Sequence, residues 1–449
     1  MAESSPEAAL AALDAALAAL EAVPGDVTRS LLVGLSGGLD SSVLLHALVA
    51  RRGPAGVRAI HVHHGLHADA DAWSGHCAQA CHALGVPLVV VRVHVNPDSP
   101  LGPEGAAREA RHDAFATALE PGECLVLAHH RGDQAETVLL RLLRASGSHG
   151  LAAMRPDRAI AHSRLLRPLL DVPRASLQAY AQVHALTWCE DPSNASADAD
   201  RNFLRLHVLP MLRERWPGAD VALAASAAQL AEDAALLDEA TDERLDSLGA
   251  VDALSVTDLL ALPKAWRARV IRRWVIRRGL PPLPAGASAA ITRDVLLAPH
   301  DRLACYRWRD ADLRRWRGRL HALRSTDFGT GTPWTLEWNG LDTLDLPDGG
   351  QLAFVGGAAV DLRSEFGDCT VGSRRGGERL RLPRRAHSHS LKQQLQAAGL
   401  PPWLRMRLPL LRAADGELLA AGDALVSARL QAWCDRQALA LHWDLRPSD

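Results

Sequence analysis

Lysine is almost absent from this sequence, and two of the three aromatic residues are scarce. Lys264 and Lys392 are the only lysines in 449 residues, so arginine carries nearly all of the positive charge. Tryptophan (12 residues) outnumbers phenylalanine (5) and tyrosine (2). Genomic base composition, which also favours Ala and Gly, explains this bias better than selection for RNA contacts. Because the net charge is −2, the chain as a whole lacks the electrostatic footprint of a nucleic-acid-binding protein, and any basic surface must be local.

Long apolar runs and paired cysteines are also missing. No apolar stretch is long enough to span a bilayer. Residues 1–23 carry acids where a signal peptide needs a basic flank, and they predict an amphipathic helix. The seven cysteines show neither the spacing of a disulfide framework nor a CxxC motif. These absences argue against a membrane protein and a secreted disulfide scaffold, so we expect a cytoplasmic protein without a membrane partner.

The first half of the chain alternates between apolar strands and amphipathic helices. We predict strands at 30–36, 57–64, 87–95 and 123–130, and helices at 42–52, 71–84, 104–119 and 133–144. Strands separated by helices of this length pair in parallel, with helices on both faces of the sheet. The pattern predicts a doubly wound α/β fold, in which ligands bind beyond the carboxyl ends of the strands.

The pattern changes twice further along the chain. Residues 221–297 are rich in Ala and Leu without strand alternation, which predicts helices. From residue 332 onward, short alternating segments meet at Gly-rich turns. The chain is long enough for three separate cores. We therefore expect a catalytic domain at 1–217, a helical substrate-binding domain at 218–330 and a small α+β domain at 331–449.

The strongest single signal is a Gly-rich loop between the first predicted strand and the helix after it. The loop consists of Ser36, Gly37, Gly38, Leu39, Asp40, Ser41 and Ser42. Two adjacent glycines allow a tight bend in which backbone N–H groups face an anion, and the serines add hydroxyl donors at the positive end of a helix. The Lys of a Walker motif is missing. A plain glycine turn with a serine cap is the alternative, but the position at a strand end favours phosphate binding.

Two histidine-rich segments raise the question of a metal site. In HVHHGLH (61–67), alternation along a strand places His61 and His63 on one face and His64 on the other, so three ligands do not converge without a kink. In HCAQACH (76–82), the two cysteines lie one turn apart on a helix with ordinary core periodicity. We interpret the first segment as polar residues at the mouth of a site and the second as part of a core, in preference to zinc sites.

Charged residues mark two of the predicted helices. Glu104, Arg108 and Arg111 share one face, which suits a solvated ion-pair stripe as well as anion binding. Asp133 and Glu136 lie in the first turn of their helix, where carboxylates also act as helix caps. Because this turn opens at the same sheet edge as the Gly-rich loop, we expect the two carboxylates to bind the ammonium group of an amino-acid substrate.

The order of the motifs resembles that of the lysidine synthetases, a family of PP-loop ATP pyrophosphatases. The chain contains SGGLDSS (36–42), HVHHGL (61–66), EGAAREAR (104–111), HHRGDQAET (129–137), RPLL (167–170), DPSN (191–194) and RNFLR (201–205). Segment 375–411 is similar to the C-terminal module of the family. The chain departs from the family pattern at Gly132, which replaces the first Asp of HHxDDQ, at His112 and at Ala145.

The resemblance implies an ATP-dependent ligase that modifies tRNA. In the family, ATP adenylates the wobble cytidine of the isoleucine tRNA with a CAU anticodon, and free L-lysine then displaces AMP from carbon 2 of the base, giving lysidine. The nucleophile is the substrate amine, so no Cys or Ser nucleophile of the protein is needed. ATP and Mg²⁺ are the implied cofactors.

The same resemblance assigns roles to residues of this chain. Asp40 and Arg111 are implied to be catalytic, with Asp40 placing the magnesium ion. Residues 36–42 are implied to bind ATP, and Asp133 and Glu136 to bind lysine. The residues expected to contact tRNA are Arg108, Arg201, Arg205, Arg374 and Arg375.

Two arginine-rich segments supply the local positive charge that the chain as a whole lacks. WRARVIRRWVIRR (266–278) predicts a helix that packs through its Trp residues, with its arginines facing either RNA or solvent. Residues 374–385 add six arginines in the C-terminal module, which we expect to grip the acceptor stem. The sequence leaves the oligomeric state open, and a homodimer is one option.

Three other functions share parts of this pattern. A tRNA thiolase usually needs a catalytic Cys pair or iron–sulfur ligands, and an amidotransferase of the asparagine synthetase type needs an N-terminal Cys nucleophile. The chain has neither feature. A non-catalytic tRNA-binding relative is suggested by Gly132. The intact SGGLDSS loop argues against it, because a dead site has no reason to keep a phosphate cradle.

Overall fold

The computed structural model describes residues 6–21, 30–65, 67–96, 99, 102–249, 252–299, 304–328, 332–358 and 360–445. The chain divides into two units, residues 1–238 and 239–449, and the division falls within a long helix. The finer division at residues 218 and 330 stays a prediction. Within the described part of the chain, no helix is both long and apolar enough to cross a membrane.

The first unit alternates strands and helices after its N-terminal helix. In chain order, the elements are α1 (Pro6–Glu21), β1 (Leu31–Gly34), α2 (Leu39–Arg52), β2 (Val57–His63), α3 (Ala70–Leu84), β3 (Leu88–Arg92), α4 (Gly102–Ala118), β4 (Cys124–Val126), α5 (Arg131–Leu143), α6 (Ser148–Leu151), β5 (Asp157–Ile160), β6 (Ser163–Leu166), α7 (Arg174–Val183), a 3₁₀ turn (Pro192–Ala195), α8 (Asp200–Phe203), a π-helical turn (Leu204–Val208), α9 (Leu209–Arg215) and α10 (Ala219–Ser247).

The central sheet of the first unit has the strand order β3-β2-β1-β4-β6-β5. β1 pairs in parallel with β2 and β4, and parallel pairing continues to β3 on one side and β6 on the other. β5 pairs antiparallel with β6 at the edge. The predicted doubly wound α/β fold is confirmed, with one antiparallel edge strand added.

Helices cover both faces of this sheet because its central strand is apolar on both sides. Leu31 and Val33 of β1 pack in a core with residues from α1, α2, α3 and α7. Leu32, whose side chain points the other way, packs with Phe115 of α4. Burial on both faces fixes β1, and its carboxyl end therefore gives rigid support to the loop that follows.

All four predicted helices of the first half begin earlier in the structure than predicted, and the starts of α2 and α5 bear on the site. α2 begins at Leu39 rather than at residue 42, because Gly38 has an extended conformation and serves as the N-cap. α5 begins at Arg131 rather than at residue 133, because His130 caps it. Both shifts place polar residues of the motifs in a first helical turn, where backbone N–H groups lack helical partners.

After α10 the chain continues with shorter elements. They are β7 (Ala253–Ser255), α11 (Val256–Ala261), α12 (Lys264–Arg277), α13 (Ala287–Ile291), a π-helical turn (Thr292–Leu296), β8 (Cys305–Trp308), β9 (Ala311–Trp316), β10 (Arg319–Arg324), a 3₁₀ turn (Ser325–Phe328), β11 (Thr335–Glu337), β12 (Leu344–Asp345), β13 (Gln351–Gly356), α14 (Arg363–Phe366), β14 (Thr370–Gly372), β15 (Arg379–Leu380), β16 (His389–Ser390), α15 (Leu391–Ala397), α16 (Pro402–Arg407), β17 (Leu410–Arg412), β18 (Leu418–Ala421), β19 (Leu425–Val426), α17 (Ala428–Gln437) and β20 (Leu439–Asp444).

The predicted helical region is confirmed, and it is joined by a sheet that the sequence analysis did not predict. The sheet has the order β7-β10-β9-β8 and is antiparallel throughout. The expectation of helices alone over 221–297 is therefore wrong at β7. That strand has three residues and pairs with β10, far along the chain, so local periodicity does not reveal it.

The predicted small α+β region contains the antiparallel sheets β11-β14-β17-β18-β19 and β12-β13-β20.

Candidate functional site

The Gly-rich loop connects β1 to α2 at the carboxyl edge of the central sheet. Ser41 ties it together, because its Oγ lies 3.0 Å from Ser36 Oγ and donates to the Gly38 carbonyl oxygen at 3.1 Å. The Gly38 N–H donates to Ser36 Oγ at 3.3 Å. The loop therefore presents hydroxyl groups and the N-terminus of α2 to the same space, an arrangement that suits an anion.

Gly37 holds a backbone conformation that other residues rarely adopt. Its φ of +85° lies in the left-handed region. A Cβ at this position would also lie 3.1 Å from Cys77 Sγ. The Cys189 N–H donates to the Gly37 carbonyl oxygen at 2.8 Å, which fastens the loop to the segment after α7. Conformation and space both require glycine here.

Asp40, in the first turn of α2, carries a carboxylate that the protein does not fully satisfy. Its Oδ1 is buried and has no hydrogen-bond partner among the described residues. Arg174 Nε lies 3.9 Å from Oδ1, and His130 Nε2 lies 3.8 Å from Oδ2. Burial raises the pKa of Asp40, and the nearby His130 and Arg174 offset only part of that rise. A half-buried carboxylate with one oxygen in this condition favours a cation beside it.

The N-terminus of α5 opens on the same space. His130 Nδ1 accepts hydrogen bonds from the N–H groups of Gly132 at 3.0 Å and Asp133 at 3.4 Å. Asp133 Oδ2 accepts the His130 N–H at 3.0 Å in return, so Asp133 does cap the helix. Burial opposes ionisation of Asp133, but His130 and this N–H lower the pKa of the carboxyl overall. Asp133 is therefore an ionised group as well as a cap.

His129 and Arg167 form a polar pair to which the sequence analysis assigned no role. Arg167 Nε donates to His129 Nδ1 at 3.3 Å, and its Nη1 donates to the Arg155 carbonyl oxygen at 2.7 Å. Burial lowers the pKa of His129 to about 3, so the ring is neutral at physiological pH. Burial also lowers the pKa of Arg167 to about 10, which leaves the guanidinium charged. In the sequence, His129 belongs to the HH motif and Arg167 to the RPLL motif, so the two motifs mark this pair.

The histidines of β2 form part of the wall of the space beside the Gly-rich loop. His61 Nδ1 lies 2.9 Å from the Leu35 carbonyl oxygen, and His63 Nε2 lies 3.2 Å from Asp71 Oδ1. The part of the chain that the structure describes contains no group of three or more His, Cys, Asp or Glu side chains placed to hold a metal ion. Burial raises the pKa of the neighbouring Cys77 to about 12, so this thiol stays protonated.

Residues of the Gly-rich loop, of β2 and of α5 line a cavity of about 700 Å³, a size that accommodates a nucleotide. His67 and Trp73, whose rings stack with centroids 4.9 Å apart, contribute to its wall. Its lining includes Ser36, Gly38, Asp40, Ser41, Arg111 and Asp133 from the predicted site, and also Asp191, Ser193 and Asn194 of the DPSN motif, whose role the sequence analysis missed. The remaining predicted residues of the first unit, Gly37, Leu39, Ser42, Arg108, Glu136, Arg201 and Arg205, are not part of the lining. The Glu104 side chain lies outside the described residues.

Comparison with known proteins places the chain in a family. The sequence model of the PP-loop domain matches residues 12–212, that of the TilS substrate binding domain matches 254–321, and that of the TilS substrate C-terminal domain matches 369–443. A tRNA(Ile)-lysidine synthase of Xanthomonas campestris pv. campestris is 51% identical over 425 residues, which cover 94% of this chain and 96% of that protein. The chain belongs to the tRNA(Ile)-lysidine synthase family. Relatives of the same name from Xylella fastidiosa (49% identical, 92% of this chain and 94% of that protein) and Alkalilimnicola ehrlichii (43%, 89% and 91%) agree.

Membership of the tRNA(Ile)-lysidine synthase family confirms the resemblance drawn from the motifs. The ATP-dependent ligase class and the use of ATP are confirmed with it. The PP-loop domain match contains the whole lining of the cavity, from Gly34 to Asn194. The other two matches lie in the second unit.

In this member of the tRNA(Ile)-lysidine synthase family, Arg201 and Arg205 both contact the carboxylate of Glu136. Only 2% of the residue is exposed. Arg205 donates to its carboxylate from Nε at 2.6 Å and from Nη2 at 3.0 Å, and Arg201 Nε lies 3.2 Å from Oε2. Arg201 also donates to Thr137 Oγ1 at 2.8 Å. The predicted lysine ligand Glu136 and the predicted tRNA ligands Arg201 and Arg205 thus bind one another.

Arg374 and Arg375 differ in how far they are free to meet a ligand. The half-buried Arg374 lies 3.8 Å from Glu378 Oε2 and donates to the Arg405 carbonyl oxygen at 3.3 Å. Arg375 is exposed, and its Nη2 donates to Thr335 Oγ1 at 3.1 Å. The neighbouring exposed arginines are Arg379, Arg381, Arg384 and Arg385. The surface charge of this module therefore comes mainly from residues after Arg374.

The arginines of α12 contribute to the packing of the second unit. Trp274 is buried, as the helical pattern predicted. Arg267 donates to the carbonyl oxygens of Leu259, Leu260 and Leu262. Arg273 Nε donates to Asp242 Oδ1 at 2.9 Å, and Arg278 pairs with Asp252 at the same distance. Much of this charge is used inside the unit, which favours a structural role over an RNA-facing one.

Proposed function

We propose that this protein uses ATP to adenylate the wobble cytidine of the isoleucine tRNA with a CAU anticodon, and then joins free L-lysine to carbon 2 of the base. The product, lysidine, changes codon reading from AUG to AUA. The observation that carries the proposal is a shared cavity, because the PP-loop and the Asp133 carboxylate line the same space. Sites for a nucleotide phosphate and for an amino-acid ammonium group are therefore adjacent.

Residues of the PP-loop suit ATP with magnesium. Mg²⁺ prefers one or two carboxylates together with phosphate oxygens and water. Asp40 offers a buried oxygen without a hydrogen-bond partner among the described residues, and a cation beside it would offset the burial that raises its pKa. When bound, Mg²⁺ neutralises phosphate charge. The Ser36 and Ser41 hydroxyls and the N-terminus of α2 face the same anion.

Lysine binding is assigned to Asp133. Its carboxyl has a lowered pKa and lines the cavity, so it offers a negative charge to an ammonium group. His129, also in the lining, stays neutral at physiological pH and does not repel that cation. Glu136 acts through Arg201 and Arg205 rather than through lysine, because both arginines contact its carboxylate.

The two steps need only substrate nucleophiles. The cytidine oxygen on carbon 2 attacks the α-phosphorus, and pyrophosphate leaves. The lysine amine, after losing a proton, attacks carbon 2, and AMP leaves with the oxygen. Arg111, which lines the cavity, is assigned the stabilisation of phosphate charge in the first step. The Cys77 thiol, protonated because its pKa is about 12, is unsuited to the sulfur chemistry of a thiolase.

Surfaces for tRNA are assigned to Arg108, which lies about one turn before the cavity residue Arg111 on α4, and to the exposed arginines of the C-terminal module, including Arg375. Phosphate contacts of this kind position RNA without reading its sequence. The cytoplasmic location and the homodimer stay predictions. A non-catalytic role, which Gly132 suggested, is not favoured, because Ser36, Asp40, Ser41 and Asp133 all line one cavity.

A reconstituted reaction tests the proposal. Purified protein, ATP, Mg²⁺ and labelled L-lysine are incubated with an unmodified isoleucine tRNA transcript carrying CAU, and nucleosides are analysed by mass spectrometry. Methionine tRNA, which carries the same anticodon, serves as the specificity control. We expect lysidine in the isoleucine tRNA alone and none with Asp40→Ala. A product containing sulfur or lacking lysine would favour another PP-loop enzyme.

A further inference from the structure

His130 has one ring nitrogen fixed by the backbone. Nδ1 accepts from the Gly132 and Asp133 N–H groups, at 3.0 Å and 3.4 Å. A nitrogen that accepts carries no proton, so in the neutral ring the proton lies on Nε2. Only 6% of His130 is exposed, which limits the ring to this orientation. The tautomer and the direction of Nε2 are therefore both determined by the first turn of α5.

The second ring nitrogen points between two carboxylates of the cavity. His130 Nε2 lies 3.8 Å from Asp40 Oδ2 and 3.7 Å from Asp133 Oδ2. These two acids repel each other, and their mutual repulsion contributes to the raised pKa of Asp40. An N–H dipole between like charges lowers that repulsion. The distances leave room for a hydrogen bond to form to either carboxylate after a small shift.

Gly132 supplies the space that the ring occupies. A Cβ at this position would lie 2.8 Å from His130 Cε1 and 3.1 Å from Nδ1. The family pattern has Asp at this position, so this chain departs from it where the side chain would contact the ring. Any side chain at 132 requires His130 to shift from its position between the carboxylates.

We propose that His130 is a positioning residue for this reaction, which holds the carboxylates of Asp40 and Asp133 at a fixed separation through its Nε2–H, and that Gly132 is required for that placement. The proposal rests on the proposed function, since Asp40 serves ATP with magnesium and Asp133 serves lysine. His130 then couples the site of the first step to the site of the second. In this chain, restoring the family residue at 132 is harmful.

Two variants separate positioning from helix capping. His130→Asn keeps a side-chain oxygen that can cap α5, but it lacks a group that reaches the carboxylates. His130→Ala removes both functions. We expect the melting temperature to fall for His130→Ala and to stay near the wild-type value for His130→Asn. For His130→Asn we also expect kcat/KM for lysine to fall by about ten- to a hundredfold and half-saturation by Mg²⁺ to shift upward.

Gly132→Asp and Gly132→Ala test the second half of the proposal. Both are expected to lower kcat/KM for lysine by about tenfold or more, although alanine favours a helix more than glycine does. Gly75→Ala in α3 is the matched control, because its Cβ meets nothing within 4 Å. It should leave the kinetics unchanged.

The outcomes distinguish this proposal from the proposed function. Binding of Mg²⁺ with a non-hydrolysable ATP analogue is measured by calorimetry alongside lysidine formation. A wild-type protein that makes no lysidine would overturn the function, whereas active wild type with unaltered His130→Asn kinetics would reduce His130 to a helix cap. Wild-type activity in Gly132→Asp would refute the requirement for glycine. Weaker Mg²⁺-nucleotide binding in His130→Asn supports the proposal independently of turnover.

Discussion

Arg205 grips Glu136 with two parallel hydrogen bonds, from Nε at 2.6 Å and from Nη2 at 3.0 Å. Glu136 lies on α5, the helix whose first turn faces the cavity, and Arg205 lies on the π-helical turn that follows α8. Arg201 completes the cluster at 3.2 Å from Oε2. The pair therefore fastens the RNFLR motif to the helix that carries Asp133.

Glu136→Gln is expected to destabilise the fold as well as impair catalysis. The substitution leaves two arginines without their shared anion, and we expect a loss of about 1–3 kcal/mol in the free energy of unfolding. Thermal melting measures the loss, and steady-state kinetics at varied lysine and tRNA concentrations measure the consequence. An unchanged melting temperature combined with a raised KM for lysine alone would restore Glu136 as a direct lysine ligand.

Asp133→Asn is the companion test of lysine binding. The amide oxygen can still accept the His130 N–H, so the helix cap is kept and the melting temperature should change little. Losing the negative charge should raise the KM for lysine by about ten- to a hundredfold, with a small change in tRNA affinity. Equal KM values for wild type and variant would assign Asp133 to capping alone.

Asp40→Asn should abolish pyrophosphate release without unfolding the protein. Burial raises the pKa of Asp40, so between the ordinary carboxyl pKa and the raised value the folded protein binds a proton that the unfolded chain has lost. The contribution of Asp40 to stability therefore falls as the pH rises through that window. In metal-free buffer we expect the variant to melt at or above the wild-type temperature near neutral pH, and the difference to shrink toward about pH 4. A variant that melts well below wild type at neutral pH would contradict the raised pKa.

The two glycines of the loop should differ in what they tolerate. Gly37→Ala introduces a residue at φ +85° and a Cβ 3.1 Å from Cys77 Sγ, so we expect it to lose about 1–3 kcal/mol of stability and ATP turnover together. Gly38 has an ordinary φ of −78°, and a Cβ at this position would lie 3.5 Å from its nearest neighbour, Ser36 Oγ. The Gly38→Ala variant should therefore stay folded. If the Cβ of the introduced alanine obstructs the phosphate of ATP, the affinity for ATP falls without a change in the melting temperature. Equal losses of stability in both would refute the conformational argument.

The exposed arginines of the C-terminal module should govern the salt dependence of tRNA binding. We combine Arg381→Ala, Arg384→Ala and Arg385→Ala in one triple variant. Each phosphate contact that it loses should reduce the magnitude of the slope of log affinity against log salt concentration by about 0.7–0.9. Arg374→Ala is the contrasting variant, because its guanidinium is tied to Glu378 and the Arg405 carbonyl oxygen and should affect melting more than the slope. ATP binding should persist in both. An unaltered slope in the triple variant would make these arginines a solvated surface.

Several parts of the site followed from local sequence because local geometry determines them. SGGLDSS after an apolar strand predicted a phosphate loop at a strand end, and the structure places Ser36, Asp40 and Ser41 around a cavity there. The cap of α5 by His130 was harder to foresee, since histidine is an uncommon N-cap and Gly132 appeared only as a departure from the family pattern. β7 was missed because its pairing partner lies far along the chain.

By itself, the sequence determined the α/β alternation, the family and the order of its motifs, because each depends on periodicity or on residues close together in the chain. The tertiary structure decided which charges face the cavity and which face each other. Asp133 and Glu136 are both carboxylates on one face of the first turns of α5, yet one lines the cavity and the other is bound by two arginines more than sixty residues away in the chain. Partners brought together only by folding determine whether a carboxylate is left for a ligand.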